Sequence, residues 1–192
     1  LRSSITTSLS CYFNGVIPAF QRLKEEGKID SWGIGLGEEE ALISAINHEK
    51  QPEAMQCAVN VMNSIGAIGY ISKDPNPNRI LKECQDKEIP ILAIRAVQAG
   101  ALTSKMDREP HSSGRDKPDF DDYERAESFR ELAKEWGESP ASLAHRYALS
   151  TQKVSSVILG VKNTQELKEC LETENMSELS EEQLKELKNL FT

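Results

Sequence analysis

Between residues 154 and 170 the chain reads VSSVILGVKNTQELKEC, a short apolar run, a glycine, and then a helix that opens at a capping Asn163. The β-branched Val154, Val157 and Ile158 suit a buried strand, and Gly160 lets the backbone turn sharply and approach a ligand. The first N–H groups of the helix lack partners of their own, so such a turn accepts an anion, and a phosphate or pyrophosphate is its natural guest. The same pattern also serves as a purely structural turn in α/β proteins. Other reactive groups are scattered. Cys11, Cys57, Cys84 and Cys170 stand far apart with no CxxC or Cys/His spacing, which points away from zinc and from a disulfide framework, and towards reduced, mostly buried thiols.

The elements that position this turn alternate between strand and helix. A polar, serine-rich lead occupies residues 1–12, and Asn14 is expected to cap a helix that runs to about Gly27, with Pro18 tolerated in its first turn. A strand over 29–34 runs into Gly35, Leu36 and Gly37. Glu38, Glu39 and Glu40 then open a helix, where acids suit the positive end of the dipole. Residues 55–59 read as the next strand, and a loop with Gly66, Gly69, Pro75 and Pro77 leads to a helix through Ile80, Leu81 and Cys84. The clearest strand covers 89–94. Residues 105–122 hold Pro110, Gly114, Pro118 and mixed charge without apolar periodicity, so a long surface loop is expected, and loops of that length are usually functional, often as lids. Helices follow over 123–136, from Ser139 and Pro140, and from the capping-box pair Ser180 and Gln183 to near Phe191.

Composition narrows the function classes. With 192 residues, 38% of them apolar, residues 1–192 can bury the core of a single domain. A net charge of −8 opposes general attraction to nucleic acid, so a bound anion has to be held locally. No stretch approaches the roughly 18 apolar residues of a membrane span, no charged-then-apolar leader opens the chain, and a cytoplasmic protein is expected. A first residue that is leucine and not methionine suggests a fragment or a processed product. Strand–helix alternation without hairpins implies a parallel sheet, either closed as a β/α barrel or open and doubly wound. Four strand–helix units are present, beginning near Ile29, Met55, Ile89 and Val154, and a closed barrel needs eight. The candidate phosphate turn follows the last strand, as in barrels, whereas an open doubly wound sheet carries it after the first.

Several blocks, in order, resemble the aldo-keto reductases: IPAFQRLKEEGKIDSWGIG, MQCAVNVMN, ILAIRAVQAGALTSK, ESPASLAHRYAL and VSSVILGVKNTQELKECL. The similarity extends from about Asn14 to Phe191. It is greatest to the bacterial branch with an Ile-Arg-x-x-x-Ala-Gly-Ala-Leu pattern at the end of the seventh strand, here residues 94–102. The resemblance implies the C-terminal half of a (β/α)8 barrel. It also implies an oxidoreductase that reduces a carbonyl or oxidises an alcohol with a nicotinamide nucleotide, NADP or NAD, and the family as a whole favours NADP. The Asp, Tyr, Lys and His tetrad of the family belongs to the first four strand–loop units. None of those positions is matched here, and His48, His111 and His145 do not match the catalytic histidine.

The resemblance assigns this half to holding the cofactor. Gln56 matches the glutamine that meets the nicotinamide amide. Ala99, Gly100, Leu102, Ser104 and Lys105 fall in the loop that crosses the pyrophosphate. Gly160, Val161, Lys162 and Asn163 fall at the adenosine-phosphate end, with Glu169 near the adenine. Arg95, a charge directly after a buried strand, stands either to contact a pyrophosphate or substrate or to close an internal salt bridge. Five positions depart from the family. Gly35 and Leu36 replace a Ser-Asn pair, Ile94 replaces the tyrosine under the nicotinamide, Glu166 replaces an arginine that meets the 2′-phosphate in many NADP-preferring members, and Cys170 replaces their asparagine. A carboxylate at 166 repels that phosphate unless Lys162 compensates. Charged helix faces such as Lys24 to Glu26 read as solvated, and Trp32 and Trp136 as packing residues. Two further readings stand beside the reductase. One is a catalytically incompetent relative; the other is an interaction module whose open barrel edges pair with another copy or with an N-terminal half.

Overall fold

The computed structural model describes residues 9–35, 37–71 and 75–191; most of the serine-rich lead and Leu36 lie outside them. Helix α1 (Leu9–Cys11) passes through a wide π turn (Tyr12–Val16) into α2 (Ile17–Glu25). The helix therefore begins before Asn14, which sits inside the π turn and donates to Ser10 Oγ at 3.2 Å instead of capping. Next come β1 (Gly33–Gly35), α3 (Glu39–Ile46) and β2 (Ala54–Ala58). A 3₁₀ turn (Gly66–Ile71) leads to α4 (Pro77–Asp86) and β3 (Ile91–Ile94). Helices α5 (Lys117–Arg125), α6 (Glu127–Glu135) and α7 (Pro140–Leu149) precede β4 (Val154–Val157), and α8 (Thr164–Glu174) and α9 (Glu181–Asn189) end the chain.

The capping residues act as their types predict. Ser139 Oγ accepts the Ser142 N–H, Asn163 the Glu166 N–H, and Ser180 with Gln183 forms a full capping box. Elsewhere the element ends move. Pairing onto β1 starts where Trp32 O accepts the Glu53 N–H at 3.1 Å, so residues 29–31 are not strand. Strand β3 starts after Pro90, which has no N–H to give. The expected 105–122 loop ends early, because Pro118 opens α5 instead of breaking it and turns the buried Asp119 and Asp122 onto one face. The expected 123–136 helix is split at Ala126, where the backbone leaves the helical region.

All four strands are parallel, in the order β1-β2-β3-β4. A consecutive order has no switch point, so it excludes the doubly wound arrangement, and same-handed crossovers put the helices on one face. This is half of a (β/α)8 barrel. Strand alternation sends Ile34, Met55, Cys57, Ile91 and Ala93 into a core beneath those helices. Gln56, Leu92 and Ile94 occupy the opposite, half-buried face. A second core gathers Leu102, Phe129, Leu143 and Leu187 with Val61 and Met62. Trp32 stacks on Phe20 with ring centroids 5.1 Å apart, and Trp136 packs against the second core, both as packing residues.

Only two of the four thiols are buried: Cys57 and Cys84 are, Cys170 is half-buried and Cys11 exposed. Burial pushes the Cys84 thiol up to about 12, and Cys57 higher still, so neither is a nucleophile at neutral pH. Among the described residues no helix is long and apolar enough to cross a membrane, and no cluster of ligating side chains could hold a metal ion.

Candidate functional site

Two loops leave the carboxyl ends of β3 and β4. The first is wound tightly, with Arg95, Gln98 and Ala99 at φ of 59°, 46° and 53°. Left-handed backbone at three non-glycine residues costs on the order of 1–3 kcal/mol each, so surrounding contacts must hold the turn. The fully buried Gln98 supplies some: its Nε2 donates to Asp122 Oδ2 at 2.7 Å and to Ser64 Oγ at 3.0 Å, and its Oε1 accepts Arg95 Nε at 3.0 Å. Asp119 supplies more. Its carboxylate takes the Arg95 guanidinium, Arg108 Nη2 at 3.0 Å and the Ala67 N–H at 2.9 Å. Arg108 in turn donates to Ala99 O at 2.7 Å and lies over the Phe120 ring. Of the two roles open to Arg95, the salt bridge is formed.

The second loop is tied to the first. The Lys162 ammonium pairs with Asp107 and sits 3.9 Å from Glu166 Oε1. The backbone N–H of Lys162 donates to Glu166 Oε2 at 2.8 Å. Between the loops, and flanked by α7 and α8, lies a cavity of about 780 Å³. Arg95, Ala99, Gly100, Ser104 and Lys105 line it from one loop, and Gly160, Val161, Lys162 and Glu169 from the other side. Three expected residues lie outside its wall. Gln56 is on the open sheet face opposite Leu92, Leu102 is fully buried in the second core, and Asn163 is engaged as a helix cap. Gly160 keeps an ordinary φ, so the turn does not require glycine; a Cβ there would meet nothing within 4 Å, which leaves room at the mouth.

Charge is divided within the cavity. Lys105, Arg108 and Lys162 line its mouth, whereas α8 contributes Glu166 and Glu169. Glu169 accepts the Ser139 hydroxyl, binding α8 to the start of α7. Deeper in the wall are Ser142, His145, Cys170 and Thr173. Sequence reasoning missed Asp107, Arg108, Asp119 and this deeper wall. The i, i+3 spacing of Asp119 and Asp122 is a signal of one acidic helix face, but the prolines and mixed charge around it masked the helix. His48 stacks on Phe13 and His111 bonds within its own loop, so neither reaches the cavity.

Gly35 has a steric explanation. A Cβ built on it falls onto the Gln56 side chain and within 2.9 Å of Gln56 O, while one on Gly33 would strike Ala54 O. Restoring the family serine as Gly35→Ser is therefore expected to destabilise the chain by about 1–3 kcal/mol, read as a lower urea midpoint at unchanged m-value. An unchanged midpoint would show that β1 can shift to make room.

The sequence model of the Aldo/keto reductase family matches residues 7–191. An uncharacterized oxidoreductase of Bacillus subtilis, YqkF, is 28% identical over 179 residues, 90% of this chain and 54% of that protein. The holo form of the aldo-keto reductase AKR11C1 from Bacillus halodurans superposes with a TM-score of 0.69 at 16% identity, covering 93% of this chain and 56% of that one. The glycerol dehydrogenase AKR11B4 from Gluconobacter oxydans gives 0.67 at 20% identity, covering 91% and 52%. This chain spans about half the length of these relatives. Four parallel strands in consecutive order, a cleft at their carboxyl ends and a family match along nearly the whole sequence agree: the chain belongs to the aldo/keto reductase family.

Proposed function

We propose that this chain is the cofactor-holding half of an oxidoreductase that passes hydride between a nicotinamide nucleotide, NAD or NADP, and a small carbonyl or alcohol. The observation that carries this is the cleft itself. It has about 780 Å³, the cationic Lys105 and Arg108 at the mouth, open space at Gly160 and a wall between two helices, a donor set that fits a phosphate-bearing nucleotide. When bound, the nucleotide supplies or accepts the hydride. Lys105 and Arg108 offer charge-assisted hydrogen bonds to its phosphates. Ile94 and Gln56, which share the open sheet face, provide an apolar floor and an amide for the nicotinamide. The Asp107–Lys162 pair ties the two loops together across the cleft. Acid–base chemistry falls to the Asp, Tyr, Lys and His set that the resemblance assigns to the other half of the barrel.

At the adenosine end, Lys162 is flanked by Asp107 and Glu166, so its charge is already answered. A 2′-phosphate there would displace a carboxylate, and this favours NAD against the preference of the family. Titration by fluorescence quenching is expected to show saturation by NADH at lower concentration than by NADPH. Glu166→Gln is expected to narrow that difference by about two- to fivefold. A second reading, an interaction module, is favoured by the exposed Leu167 and Leu171 of α8, nearby Met176, and the unpartnered outer edges of β1 and β4 within the described sheet. Absence of saturation by either nucleotide, with mass rising on concentration in light scattering, would decide for it.

A further inference from the structure

His145 is 7% exposed and lines the cavity from α7, yet its Nδ1 is enclosed and has no hydrogen-bond partner among the described residues. The neighbouring oxygen-bearing side chains of this wall are engaged. Ser142 Oγ and Thr173 Oγ1 bond each other at 2.9 Å, Thr173 donates to Glu169 O at 2.7 Å, and Glu169 holds Ser139. An enclosed ring nitrogen without a partner costs stability, and a buried imidazole that touches a cavity can recover that cost from a group that enters it.

The surroundings say what kind of group that is. Burial holds the His145 imidazole below its ordinary value, against the opposing pull of Glu174, so above that value the ring is neutral, with one N–H and one lone pair. Ala141, Leu159 and Cys170 share the wall, and Glu166 and Glu169 disfavour an anion on this side, while the cations stand at the mouth. A flat, uncharged group with both a donor and an acceptor on its edge suits such a floor. Phosphate does not.

We propose that His145 is a base-reading residue: it hydrogen-bonds the edge of the nucleotide's heteroaromatic base where that base enters between α7 and α8. The assignment rests on the nucleotide reading of the cleft. It makes His145 a determinant of which nucleotide is held, distinct from the groups that hold phosphate.

The test compares the full chain with His145→Leu and His145→Gln, using NADH, ADP and reduced nicotinamide mononucleotide, which lacks the adenine, as probes in calorimetric titration. His145→Leu removes the stranded nitrogen, so the unliganded chain is expected to melt about 2–4 °C higher. The same variant is expected to bind NADH and ADP roughly five- to tenfold more weakly, with the mononucleotide unchanged within about twofold. His145→Gln, which keeps a donor and an acceptor, is expected to stay near wild type. Unchanged NADH and ADP affinities in His145→Leu overturn the assignment while the nucleotide site stands. Equal losses for all three probes also overturn it, since they report a disturbed fold. If His145→Leu does not fold, a His145→Gln chain that has lost all adenine preference overturns it too. A wild-type chain that binds no nucleotide overturns both this assignment and the reading beneath it.

Discussion

Replacing Asp119 by alanine is expected to destabilise the chain by about 3–5 kcal/mol, because the change strands buried cations instead of merely deleting a bond. The Asp119 side chain is 5% exposed, and its partners Arg95 and Arg108 are 15% and 35% exposed. Without the carboxylate, Arg95 keeps its charge and loses its counter-ion, and the Ala67 N–H loses its acceptor. The left-handed turn at residues 95–100 then relaxes, so nucleotide affinity falls together with the urea midpoint. Asp119→Asn, which keeps an acceptor oxygen, is expected to lose less. The double change Arg95→Met with Asp119→Leu is expected to recover part of the loss, since two apolar groups leave no charge unpaired. A loss below about 1 kcal/mol in Asp119→Ala would show that the turn holds itself.

Phe129→Ala is expected to cost a similar amount, about 3–5 kcal/mol, by another route. Phe129 is fully buried on α6 and shares the second core with Leu102, Leu143 and Leu187. Truncation opens a cavity that backbone relaxation only partly fills, and Leu102 lies on the cleft loop. Damage in this core therefore reaches the site through a residue that contacts no ligand. Native-state hydrogen exchange is expected to accelerate in α6 and α9 before β2 and β3, and Phe129→Leu to cost less than half as much. Uniform acceleration through all four strands would show instead that both cores open together.

What could be read from the sequence was what local chemistry dictates. Ser139, Asn163 and the Ser180–Gln183 box name their own helix starts, because a short polar side chain answers N–H groups three residues away. The four strands announced themselves through β-branched and apolar runs, and their number fell short of a closed barrel, while the half barrel itself was implied by the family resemblance. Pro118 misled, since a proline that opens a helix looks like one that breaks a loop. Asn14 misled for the opposite reason, because a capping residue type inside a π turn has no cap to make. The cleft was legible only in part. Its loop residues could be placed by family resemblance, but Asp119, Arg108 and His145 act through contacts between segments far apart in sequence, and no local pattern carries those. Glu166 was visible as a departure, yet its backbone bond to Lys162 and the competing Asp107 were not.

Helix α7 serves both cores: Ala148 packs in the first, while Leu143, Ala144 and Tyr147 pack in the second. During vectorial synthesis this sets an order. Neither core can close until residue 149 has left the ribosomal tunnel, and the second also waits for Leu187. Until the first core closes, the inward apolar side chains of β1 to β3 stay unshielded. One ten-residue helix thereby joins the closing of the two cores.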